Sequence, residues 1–391
     1  MSLQEKQMLK AALAYWRKKT EDMSPEDMTW LDATRERRLN LLNAIDEGMV
    51  VEELWQETSV IMIQLFHFME RHGYWSAWIP TLERVIEYCP DSVLYERARL
   101  QSQLSQLYRK EARIAEAYLL YDQVLDYALA NQDNDLIIMI YRDKAESYLA
   151  NNQLEEAETS ALYALKVLDD GGALMNALVF ETIGKIYRFK DKKVDARHYY
   201  QKAVDIWSTL GEPYMLAFVL NEASLVLVEL EEYESSLATL QQALNALEGT
   251  KYRYLKQMIM MNQGFVHYRQ KQFLEAENAF LKIDLFYIKQ RGEILPYGQI
   301  LQNIGNVQLK QGKWEDAEQY IVEAIKTFKS IHDDVRLANS LGTLAEILVN
   351  KQQVKHAKLY FDEAIQLLGK YPENAWGRRL LADFRQQREE C

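Results

Sequence analysis

Apolar and small residues recur along this chain with a period close to forty. A small residue is followed four positions later by a bulky one and seven later by another apolar one. Ala117, Tyr121 and Val124 fit this pattern, as do Ala157, Ala161 and Ala164, then Ala196, Tyr200 and Ala203. The series runs on through Ser236, Leu240 and Ala243; Ala276, Phe280 and Ile283; Ala317, Ile321 and Ala324; and Ala357, Phe361 and Ala364. Successive anchors are 40, 39, 40, 40, 41 and 40 residues apart. A weaker copy begins at Ala77 after Tyr74, with Thr81 and Arg84 where apolar residues are expected.

Twelve positions before each anchor stands a second small residue: Ser105, Ala145, Gly184, Ser224, Gly264, Gly305 and Ala345. Spacings of four and seven put residues on one helix face, and two antiparallel helices approach closely only where both present small side chains. Each unit therefore reads as a helical hairpin. Loop-forming clusters agree, falling between units at Cys89–Ser92, Asn131–Asp135, Asp169–Gly172, Leu210–Pro213, Glu248–Lys251, Gln290–Glu293, His332–Asp334 and Tyr371–Asn374. Shorter breaks fall inside units, at Asn151–Gln153, Lys190–Lys193 and Gln311–Lys313.

The residues Ile304, Gly305, Gly312, Trp314, Ala317 and Ala324, and again Ile183, Gly184, Tyr187, Ala196, Tyr200 and Ala203, resemble the tetratricopeptide repeat. That family's usual period of 34 is exceeded here, so each helix is expected to be longer by most of a turn. Asn303, Ile304, Gly305 and Asn306 are similar to the forty-residue repeats of polarity adaptors. Glu36, Asn40, Leu41 and Ala44, with Trp75, Leu82, Glu83 and Arg84, resemble the sensor region behind the NB-ARC ATPase module of bacterial signalling proteins. Repeats of this length also look like those of peptide-sensing regulators. The resemblance implies an all-α, right-handed superhelix of about eight repeats over residues 58–370, the first degenerate. Residues 1–57 are expected to form an N-terminal helical cap and 371–391 a C-terminal capping helix with Trp376, Leu380, Leu381 and Phe384 on its apolar side.

Composition fits a helical protein: only 15 glycines and 6 prolines occur in 391 residues. A formal charge of -12 disfavours a nucleic-acid surface, which needs an excess of Lys and Arg on some face. The basic clusters Trp16–Lys19 and Arg35–Arg38 supply the alternative reading, a regulator touching nucleic acid, but Glu21, Asp22, Glu26 and Asp27 lie between them. Cys89 and Cys391 form no paired framework, and no stretch approaches eighteen uninterrupted apolar residues. A cytoplasmic protein without a membrane span is expected, and self-association is left open.

Catalytic fingerprints are absent from the sequence. Gly249, Thr250 and Lys251 lack the rest of a phosphate loop, and the six histidines form no metal-ligating spacing, so neither cofactor nor metal is expected. Cys89 precedes Pro90 in a loop with no histidine in register, which gives it no base.

The family resemblance implies that the first helix of each pair lines a concave groove that takes a protein or peptide ligand. The register places Arg99, Arg109, Arg142, Lys185, Arg188, Asn221, Asn262, Arg269, Asn303, Asn306, Lys310 and Asn339 there. Carboxylates at Asp143, Glu146, Glu181 and Glu222 occupy positions of the same kind. Asn262 and Asn303 share one unit position, where an amide can pair with both donor and acceptor of a peptide backbone. Arg269 and Lys310 are expected to attract acidic groups. The reading is a non-catalytic scaffold or sensor.

Overall fold

The computed structural model describes residues 1–21, 35–71, 75–111, 113–168 and 172–391, except the side chains of residues 21, 35–39, 71, 76, 77 and 375. Tyr74, the Ala77 and Arg35–Arg38 side chains and the turn at 169–171 lie outside what is described. All regular structure among the described residues is helical. By internal packing they form two units, residues Met1–Leu230 with Ala246–Tyr252, and Glu231–Asn245 with Arg253–Cys391.

The first unit opens with α1 (Leu3–Glu21), α2 (Arg35–Met49), α3 (Trp55–Arg71) and α4 (Trp75–Glu87). Hairpins follow: α5 (Leu94–Lys110) with α6 (Ile114–Asn131), α7 (Asn134–Ala150) with α8 (Leu154–Val167), and α9 (Ala173–Phe189) with α10 (Lys193–Leu210). The unit closes with α11 (Pro213–Glu229). In the second unit α12 (Tyr233–Ala246), which belongs to it except for its last residue, precedes α13 (Arg253–Arg269), α14 (Phe273–Leu281) and α15 (Leu285–Gln290). There α16 (Ile294–Lys310) pairs with α17 (Trp314–Ser330) and α18 (Asp334–Asn350) with α19 (Val354–Leu368), before the terminal α20 (Ala375–Glu390).

All seven anchors from Ala117 to Ala357, and their partners at four and seven, are buried, as are the seven small residues of the first helices. The glycines show why size matters. A Cβ on Gly184 would meet the Tyr200 ring at 3.1 Å, and one on Gly305 would lie 2.6 Å from Ile321 Cδ1 and 3.3 Å from the Ala317 carbonyl. The tightest packing is thus against the bulky residue four past the anchor. The anchor itself contributes its short backbone approach.

Among the described residues, the turns before Ala157, Ala196, Ala276, Ala317 and Ala357 each pass through one left-handed residue five positions before the anchor: Asn152, Asp191, Lys271, Gly312 and Gln352. The amide that follows reaches back to the carbonyl five residues earlier, as Gln153 to Tyr148 at 2.9 Å and Lys192 to Tyr187 at 2.8 Å. This satisfies first-helix carbonyls that would otherwise be orphaned. Only Gly312 adopts that conformation without a Cβ penalty. Lys271→Gly is therefore expected to raise stability by about 0.5–1 kcal/mol, read as a higher melting temperature. An unchanged or lower melt would mean that the lysine side chain offsets the backbone strain.

Six positions before the anchor, a long polar side chain clamps the preceding hairpin. Lys190 holds Glu155 at 2.6 Å and also pairs with Glu158, while Lys351 holds Glu318 at 2.8 Å. Gln270 donates to Glu234 and Gln311 to the Phe273 carbonyl, both at 2.9 Å. The regular register has one interruption. After Leu281 the second helix breaks, Asp284 caps α15 by accepting from the Tyr287 amide, and its own amide donates to Gln257 on α13 at 2.6 Å.

The terminal helix α20 spans Ala375–Glu390. Phe384 is buried against Phe361 and over Gly342, whereas Trp376 is 38% exposed and belongs to the solvent side. No described helix is long and apolar enough to cross a membrane.

Candidate binding surface on the first helices

Within each unit the first helices of neighbouring hairpins approach one another more closely than the second helices do. That asymmetry puts the first helices on the inner side of the stack, where residues forty apart face each other. The twelve residues singled out from the sequence divide between the units at α11 and α13.

In the first unit four of the five cations singled out already have carboxylate partners. Glu146 on α7 lies 2.7 Å from Lys185 on α9 and 4.0 Å from Arg109 on α5. Arg188 holds Glu229 at 2.8 Å and lies 3.9 Å from Glu222, both on α11. Arg142 donates to its neighbour Asp143 at 2.9 Å, and Asp143 is fully buried. Arg99 reaches Met139 Sδ at 3.8 Å, and Asn221 is buried. These pairings recur because long side chains one repeat apart stand side by side on parallel helices.

Burial and charge then pull the carboxylates in opposite directions. Burial pushes Glu146 up, but Lys185 and Arg109 outweigh that and hold it at about 2. Glu181 has no such pair: burial pushes it up to about 8, with Glu146 and Glu222 adding to the rise against the pull of Arg142 and Lys185. The Tyr200 hydroxyl, buried beneath the same groups, is also pushed up, by burial first and then by Glu222. Among the described residues, Glu181 Oε2, Asp143 Oδ2, the Tyr200 hydroxyl and the Nε atoms of Arg109 and Arg142 find no hydrogen-bond partner. Buried polar atoms are nearly always satisfied, so these five, on the first helices of this unit and on α10, are exceptions.

The second unit is less charged. Gln302 and Thr343 both donate to Asn306 Oδ1, at 2.9 and 3.2 Å, and Lys310 lies 3.7 Å from Glu346. Asn306, Lys310 and Asn339 line a cavity of about 160 Å³ with Tyr268, Glu346 and Phe384. Asn303 is half-buried, and Arg269 is exposed with its guanidinium 5.9 Å from the Phe265 ring. Asn262 differs from the expectation that it stands open beside Asn303. It is only 7% exposed and is buried within the packing of α13.

The fold is that of the tetratricopeptide-repeat proteins. It is shared with a signal-transduction ATPase with numerous domains, a protein with a tetratricopeptide repeat sensor from Pyrococcus horikoshii (TM-score 0.67, 15% identity, 98% of this chain). The chain spans 55% of that protein's length. It is also similar to a Rap protein complexed with competence and sporulation factor (TM-score 0.58, 14% identity, 85% of this chain and 99% of the other). The apo form of RapI matches at a TM-score of 0.55 with 13% identity, over 85% of this chain and 98% of the other. No protein-family model and no curated protein sequence matches the chain.

Of the carboxylates that face these cations in the tetratricopeptide array, Asp143, Glu146 and Glu222 stand at positions read from the sequence as inner-face, and only Glu229 was not among them. Glu229 occupies the unit position of Arg269 and Lys310, so register alone could have found it. Trp16, in the basic cluster of α1, is buried, which removes its ring from any nucleic-acid surface. Burial pushes the Cys89 thiol up to about 11, opposite to the activation of a nucleophile. No three His, Cys, Asp or Glu residues among those described are grouped to hold a metal ion.

Proposed function

We propose that the chain is a non-catalytic scaffold or sensor that holds a peptide, or an extended segment of a partner protein, along the inner faces of its first helices. The supporting observation is the cluster of buried, partnerless polar atoms at Asp143, Glu181 and Tyr200. An extended peptide carries unpaired backbone donors and acceptors of its own, and inner-face amides can meet both. One solved structure of the same fold, the Rap protein, contains a bound signalling factor. With 14% identity that likeness carries the fold and gives the ligand class as a proposal only.

The test uses pools of random hexapeptides passed over the immobilised full chain. Asn303→Ala combined with Asn339→Ala should weaken retention of selected peptides at least tenfold, since each lost amide leaves a desolvated ligand group unpaired at about 1–3 kcal/mol. Gln241, exposed on α12 and bonded to Asn245 at 2.9 Å, provides a control: Gln241→Ala should leave retention intact. Equal retention by wild type and the double variant would move the ligand off the inner face of α16 and α18. Asn262 is a poor probe because its burial ties any loss of binding to a loss of packing.

A further inference from the structure

The charged cluster of the first unit has a composition that selects among ligands. Its cations are Arg109, Arg142, Lys185 and Arg188; its carboxylates are Asp143, Glu146, Glu181, Glu222 and Glu229. Every cation has a carboxylate within 4.0 Å, and three of the four approach to 2.9 Å or less. The fifth carboxylate, Glu181, has no cation within ion-pair distance among the described residues, and its Oε2 accepts no hydrogen bond. Beneath it lies a second, independent sign. Tyr200 is fully buried, and its hydroxyl, within electrostatic reach of Glu222, Arg188, Glu181 and Glu146, has no partner either.

An anionic ligand would have to compete with carboxylates already seated on each guanidinium and ammonium. A cationic one would meet acceptors that nothing else uses and would bring the cluster to five charges of each sign. We propose that the inner face of α7, α9 and α11 is a subsite for one lysine or arginine side chain of a bound peptide. The ammonium or guanidinium group sits between Glu181 and Glu222, over the Tyr200 hydroxyl. This rests on the reading of the inner face as a peptide-binding surface.

The proposal makes binding and proton release a single event. Unliganded, Glu181 keeps its proton at neutral pH because burial, Glu146 and Glu222 outweigh Arg142 and Lys185. A cation placed against it restores the charged form, so the proton leaves to solvent. No other bond forms or breaks.

Four pools of N-acetylated, C-amidated hexapeptides test this, each with one central position fixed as arginine, lysine, norleucine or glutamate. Passed over the immobilised full chain at pH 7, the arginine and lysine pools should be retained at least tenfold better than the norleucine pool, with the glutamate pool last. Glu181→Gln resembles the protonated side chain in shape, so that variant should fold at least as stably as the wild type at pH 7. It should lose the preference for basic pools. Calorimetry of a selected basic peptide in two buffers of different ionisation heat should record close to one proton released by wild type and none by the variant.

Uniform retention across the pools, a preference for glutamate, or a preference that survives Glu181→Gln would each overturn the subsite and leave the inner-face reading standing. If no pool is retained by the wild type, both fall. Spermidine binding that depends on Glu181, without retention of any peptide, would give the subsite to a free polyamine and overturn the peptide assignment.

Discussion

Gly264→Leu is expected to lower the melting temperature more than the same change at Gly184. A Cβ at position 264 would stand 2.6 to 2.8 Å from three atoms of the Phe280 ring, which is itself buried in the second helix of the same hairpin. A ring packed on all sides cannot turn away, so the helices must part, at a cost on the order of 1–3 kcal/mol. The alanine series separates the contributions more cleanly. At Gly184 the nearest Tyr200 atoms are 3.1 to 3.3 Å from a built Cβ, so a shift of a few tenths of an ångström suffices. Alanine also gains about 1 kcal/mol of helix propensity there, which brings the net change near zero.

Gly305→Ala should fall between the two, because the obstructing Ile321 Cδ1 is the tip of a flexible chain while the Ala317 carbonyl behind it is backbone. Thermal melts of the three alanine variants give the order directly. A loss at Gly184→Ala as large as at Gly264→Ala would show that the ring contact does not set the cost.

The second large effect is on the pH dependence of stability. Glu181 has an ordinary value of 4.5 and is pushed up to about 8 in the folded protein by burial. Between those values the native state holds a proton that the unfolded chain has released, so stability falls as pH rises from about 5 to 8. Its facing groups are Arg142 and Glu146 from α7, Lys185 from α9, Tyr200 from α10 and Glu222 from α11. The full loss amounts to about 2–5 kcal/mol, and Glu181→Gln removes it.

Wild-type melting temperature should therefore drop between pH 5 and 8 relative to that of the variant. On the acid side the sign reverses. Glu146, held at about 2 against the rise that burial alone would cause, contributes stability above pH 4.5 that is lost as pH falls toward 2, equally in both proteins. Superimposable profiles from pH 5 to 8 would mean that Glu181 is ionised in the unliganded protein.

The sequence by itself determined the hairpin, its register and its close-packed positions. Those rest on local and near-local constraints: a four- and seven-residue spacing on one helix face and a small residue opposite each anchor. Repetition made each constraint visible seven times, so the Ala117 and Ala357 sites were as legible as the middle ones.

What only the tertiary structure decided lies between hairpins, among side chains forty residues apart. The inner-face positions were legible as positions, but whether Arg188 faces solvent or Glu229, and whether Asn262 is open or buried while Asn303 is half-buried, depends on rotamers and helix spacing that a repeat pattern does not encode. The split of one second helix at Asp284 is of the same kind. An acidic residue capping a new helix and an amide reaching Gln257 are individually ordinary, and only their meeting breaks the register. Electrostatics carries the point furthest. Glu146 and Glu181 occupy the inner faces of adjacent first helices, yet one is held ionised by two cations and the other kept protonated by burial, because an ion pair needs a partner within a few ångströms and only the folded chain assigns partners.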